Sequence, residues 1–124
     1  MTSEQRFTLA AGAILGFAGI ALGAFGAHAL RGVLTVEQSS WWATAVQYQL
    51  VQAVALLAIS NLHLSRLGTT ATLMAGGCVI FSVSLYAMAL TDIRWLGAIT
   101  PLGGLCMLAG WAWLGWSALR EPTR

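Results

Sequence analysis

The stretch FTLAAGAILGFAGIALGAFGAHAL, residues 7–30, runs 24 residues without a charged side chain. As a helix it would be about 36 Å long, enough to cross roughly 30 Å of hydrocarbon. A secretory leader is the competing reading, because Ala27-His28-Ala29 has the A-x-A form of a cleavage site. The apolar part of such leaders is only about 7–15 residues long. The segment before Phe7 also carries one acid, Glu4, against one base, Arg6. The stretch therefore reads as a retained transmembrane helix.

The rest of the chain repeats the pattern. Of 124 residues, 58% are hydrophobic and 8% charged, and the mean hydropathy is +0.77. That is far too apolar for a soluble domain. The charged residues divide the chain into four apolar runs: 7–30, 32–65 interrupted near Glu37, 67–91 and 95–119. This predicts an all-α membrane protein, a four-transmembrane-helix bundle forming a single integral-membrane domain over residues 1–124, with helices about 6–30, 40–62, 68–90 and 95–119. A net charge of +2 with no lysine and no basic cluster argues against a nucleic-acid partner. Cys78 and Cys106 fall in the middle of apolar runs with no CxxC pairing, and read as small buried hydrophobes.

With an even number of spans the termini share a side. That side also owns the loop around Arg66, setting Arg6, Arg66, Arg120 and Arg124 against Arg31 and Arg94. The arginine excess predicts cytoplasmic termini. Trp41, Trp42 and Trp95 at one set of helix ends, with Trp111, Trp113 and Trp116 near the other, suggest two interfacial belts, Trp111 being the deepest of its group.

Helix 1 carries a stripe of Gly12, Gly16, Gly19, Gly23 and Gly26, alternating spacings of four and three. These fall within an arc of about 80°. Lipid offers no hydrophobic push between helices, so small residues that admit a second backbone mark a packing seam. The partner helix could belong to this chain or to another. The expected partners are thus the lipid bilayer and either a homo-oligomer or another membrane protein. Gly103 and Gly104 read as a second close approach. Pro101 lies inside helix 4 and is expected to free a carbonyl near Gly97.

Polar residues gather in one leaflet, where the end of helix 1, the start of helix 2, the end of helix 3 and the start of helix 4 meet. The candidate binding set is His28, Tyr48, Gln49, Gln52, Ser82, Tyr86 and Thr100. Helical spacing places Trp41, Ala45, Tyr48, Gln49 and Gln52 on one face of helix 2, and Cys78, Ser82 and Tyr86 on a stripe of helix 3. On helix 4, Thr100, Gly104, Met107 and Trp111 share a face, and the three faces are expected to point at one another. Gln52 is the deepest, about 16 Å from the helix start. His28 projects about 160° from the glycine stripe. It either sits at the headgroup boundary or hydrogen-bonds to Tyr48 or Gln49. The ordinary reading of the whole cluster is hydrogen-bonded glue between helices. The sharper reading is a solute site.

The strings GAFGAHAL (23–30), TAVQYQ (44–49), FSVSLY (81–86), ITPLGG (99–104) and AGW (109–111) occur in an order and spacing that resembles the YgdD/YwdK-like small membrane proteins. That family also includes the eukaryotic transmembrane protein 256 and is a domain of unknown function. The resemblance implies a four-helix integral membrane protein, in bacteria of the inner membrane, and brings no activity, substrate or cofactor with it. Two positions depart from the pattern. Where the family commonly has YQxxH this chain has Gln52, and Val83 replaces the glycine of FSGSLY. Glutamine cannot stand in for imidazole as a ligand or proton carrier, so a paired-histidine metal site with His28 is not expected.

No carboxylate lies within the spans, which argues against an enzyme, a metal or a cofactor. The expected function is a non-enzymatic packing, accessory or assembly protein. The alternative is an oligomeric channel or small-solute transporter that uses the polar leaflet.

Overall fold

Thr2 and Thr35 decide where the first two helices start. Each threonine hydroxyl accepts the N–H three residues on, and the glutamine there accepts the threonine N–H in return: Thr2 and Gln5 at 3.1 and 2.9 Å, Thr35 and Gln38 at 3.1 and 2.9 Å. Such a capping box satisfies orphan amides at the first turn. In the computed structural model, which describes residues 1–123, α1 (Ser3–His28) and α2 (Val36–Ile59) accordingly begin before positions 6 and 40. Helix α3 (Leu67–Thr91) is bracketed by two left-handed residues, Arg66 at φ 57° and Asp92 at φ 56°.

The fourth span is broken. A 3-10 turn, Arg94–Ala98, precedes α4 (Thr100–Arg120), and Pro101 sits in the first turn of α4. A first-turn proline has no helical N–H to lose. The expectation that Pro101 kinks a continuous helix and frees a carbonyl is therefore corrected: the proline starts α4. All four spans are long and apolar enough to cross a bilayer, with the turn and α4 counted together. Among the described residues there is no strand. The protein is an all-α, four-helix membrane protein.

The packing is not a closed square. Helix α3 touches the other three helices, α1 packs on α2 and α3, and the backbone of α4 approaches only α3 and the 3-10 turn. The helix-1 glycines explain the first seam. A Cβ on Gly12 would stand 3.0 Å from the Ala53 carbonyl, one on Gly19 2.7 Å from Leu50, and one on Gly23 3.2 Å from Val46. Gly16 faces Ala53 and Gly26 faces the Trp42 indole. The stripe thus meets α2 of its own chain and leaves no room there for a second copy.

A second seam joins α3 to α4. A Cβ on Gly77 would lie 2.8 Å from the Gly103 carbonyl, and one on Gly103 2.6 Å from the Gly77 carbonyl. Gly110 presses on Met74. Gly104 does not share this role: a Cβ there would meet only the Phe81 ring, at 3.9 Å. The assignment of Gly104 to packing is corrected, because it lies one residue around the helix from the contact face. Large apolar side chains such as Phe17, Ile20, Leu105 and Leu108 face outward, as a lipid-facing surface requires.

Two apolar clusters fill the interior. One holds Leu30, Trp42, Ala45, Leu85 and Met88, and the other Leu56, Ile59, Leu67, Ala71 and Met74. Gln49, Gln52, Cys78 and Ser82 fall between them along α2 and α3, so the polar residues form a layer inside the bundle.

Candidate functional site

The buried residues of α2 include Trp42, Ala45, Gln49, Gln52, Leu56 and Ile59. Their spacing alternates three and four, the seam of a closely packed helix pair. Polar side chains are included in that seam because the outer face meets lipid, where they would be costlier. The expected face held Trp41 and Tyr48 instead. Tyr48 is 45% exposed and packs on Phe81, while Trp42 turns inward and donates its indole N–H to the Leu22 carbonyl at 2.9 Å. Trp42 is thus an interhelical residue and not part of an interfacial belt.

Gln49 is the centre of the layer. Its Nε2 donates to the Leu15 carbonyl of α1 at 3.0 Å, and its Oε1 accepts the Tyr86 hydroxyl of α3 at 2.7 Å. One amide therefore ties three helices. Ser82 Oγ donates to the Ala45 carbonyl at 2.9 Å, joining α3 to α2. Thr100 meets Ser84, at 2.6 Å, and not the helix-2 face. Ser84 lies off the Cys78, Ser82, Tyr86 stripe and so falls outside the candidate set, on the side of α3 that Thr100 of α4 meets.

Gln52 is buried, and its Oε1 has no hydrogen-bond partner. It borders an apolar groove of about 530 Å³ between α2 and α4, with Phe81 at its floor and Pro101, Gly104, Met107 and Trp111 on its far side. The groove exists because α4 packs on α3 alone. Trp111, 44% exposed, lines it. The expected faces of α2 and α4 look at each other across this groove, through Tyr48 and Gln52 on one side and Gly104, Met107 and Trp111 on the other, while the Ser82 and Tyr86 stripe of α3 bonds to α2.

His28 is the last residue of α1, exposed and without a hydrogen bond to α2. The structure places it at the helix end, apart from Tyr48 and Gln49. Among the described residues no three His, Cys, Asp or Glu side chains come together. At this end of the bundle Arg94 pairs with Glu37 at 2.7 Å and lies over the Trp41 ring, fastening the 3-10 turn to the start of α2. At the opposite end, the α2–α3 connection and the last turns of α4 enclose a polar recess of about 510 Å³.

Comparison with known proteins gives a consistent set of relatives. The family described as "Protein of unknown function (DUF423)" matches residues 22–104. A UPF0382 membrane protein of Staphylococcus haemolyticus is 44% identical over 110 residues, covering 83% of this chain and 87% of the relative. The UPF0382 inner membrane protein YgdD of Escherichia coli K12 is 39% identical over 124 residues, covering 97% and 93%. The UPF0382 membrane protein YwdK of Bacillus subtilis is 43% identical over 105 residues, covering 81% and 85%. No solved structure matches the chain.

Proposed function

This chain belongs to the DUF423 (UPF0382) family of membrane proteins, and from the way its buried polar side chains are used we propose that it is a non-enzymatic packing, accessory or assembly protein of the bacterial inner membrane. The observation that carries this reading is the Gln49 amide, whose two ends are both engaged inside the bundle, on Leu15 and Tyr86. Ser82 and Trp42 likewise bond to helix carbonyls. Side chains used in this way hold helices together and are not free to carry a solute. The carboxylates of α1 and α2, Glu4 and Glu37, stand in the first turns of their helices, apart from the Gln49 layer, which supports a non-enzymatic role. The relative in Escherichia coli is named an inner membrane protein, which supports the same location here. The arginine excess on the side of Arg6, Arg66 and Arg120 supports cytoplasmic termini; Arg124 lies outside the described residues.

Reconstitution tests this reading against solute transport. Vesicles containing the protein are expected to admit small neutral solutes and ions no faster than protein-free vesicles, followed by light scattering and ion-sensitive dyes. Entry that disappears on Gln52→Leu would establish transport instead. An accessory role further expects a membrane-protein partner held in fixed ratio through purification in native lipid.

A further inference from the structure

Trp113, Trp116, Ser117 and Arg120 lie on one side of the last turns of α4, at spacings of three, one and three. They border the polar recess of about 510 Å³ whose other wall is Ser65 and Arg66. Neither Arg66 nor Arg120 forms a salt bridge among the described residues. Glu121 borders the recess too, but its Oε1 accepts the Ser65 N–H at 2.8 Å. The recess therefore sets two guanidinium groups against one carboxylate.

A further feature points the same way. Arg120 sits over the Trp116 ring, 5.4 Å from its centre, which holds the guanidinium at the depth of the aromatic ring. The recess thus lacks one thing, an acceptor with several oxygens and negative charge, at the level where a bilayer places its headgroups. Arginine matches phosphate oxygens in both charge and fork geometry.

We propose that the recess between the α2–α3 connection and the end of α4 binds a phosphate-bearing anion, in a bilayer the headgroup of an anionic phospholipid, through Arg66 and Arg120. The site is separate from the Gln49 layer and does not depend on which side faces the cytoplasm. Occupancy would reinforce the tie between the α2–α3 connection and the end of α4 that the Ser65–Glu121 hydrogen bond already makes.

Native mass spectrometry in detergent reads this directly, with phosphatidylglycerol, phosphatidylcholine or inorganic phosphate as the added probe. Phosphatidylglycerol is expected to be retained over phosphatidylcholine. Retention should fall about tenfold in the double variant Arg66→Gln/Arg120→Gln. The charge-matched pair Arg6→Gln/Arg31→Gln should retain the lipid like the parent, and circular dichroism should show all variants folded. Displacement of the lipid by millimolar inorganic phosphate would assign the site to free phosphate; resistance to it would assign the site to the lipid. Equal losses in the two double variants, or equal retention of the two lipids, would overturn the proposal.

Discussion

At the scale of single residues, the polar side chains inside the bundle differ in what they bind, and that sets what their removal costs. Gln49 holds a carbonyl of α1 and the hydroxyl of Tyr86 together. Gln49→Leu strands the buried Tyr86 hydroxyl, so a loss of about 1–3 kcal/mol is expected. Ser82→Ala removes one bond to a carbonyl already in a helix and should cost about 0.6 kcal/mol. Unfolding in mixed micelles, followed by circular dichroism, measures both, and equal costs would contradict the central place of Gln49. His28 is the contrasting case. Its sequence setting, an imidazole near a run of glycines, suggests chemistry, yet it ends up exposed at the last residue of α1. The choice between headgroup boundary and interhelical bond could not be read from sequence, because one turn of helix separates the two.

At the scale of the elements, glycines determine how near the helices come. Gly103 and Gly104 are neighbours with opposite predicted sensitivities. A Cβ at Gly103 would press on the Gly77 carbonyl at 2.6 Å, whereas at Gly104 it would find only a ring at 3.9 Å. Gly103→Ala is therefore expected to destabilise by about 1–3 kcal/mol through overpacking. Gly104→Ala should be neutral or gain up to about 1 kcal/mol from helix propensity. Thermal melting of the two variants in one detergent checks the pair. The α1 stripe makes a further prediction, since it already packs on α2 of its own chain. Gly19→Leu should lower the melting temperature and leave the mass in native detergent unchanged; a shift in oligomer mass would place a second copy on the stripe. The stripe was legible from its spacing, but Gly77 was not, because Gly76-Gly77 offers two equivalent positions and only the placement of α4 distinguishes them.

At the scale of the whole molecule, the arginine distribution makes a topological prediction. Reporters fused to either end should both read out on the cytoplasmic face, and adding arginines near Arg31 and Arg94 should weaken that preference. The sequence by itself determined four apolar spans, their approximate limits and the family, because hydrocarbon thickness and the cost of charge act on composition and length alone. It also contained the threonine–glutamine capping boxes that start α1 and α2, a local signal readable without any tertiary contact. Only the tertiary structure decided that α1 closes on α2, that α4 rests on α3 alone, and that a groove beside Gln52 and a polar recess beside Arg66 and Arg120 follow. The physical reason is the solvent. In water an apolar stripe announces the buried face of a helix, but in lipid every face is apolar. The faces are then selected by small residues and a few hydrogen bonds, whose partners exist only once the helices have met.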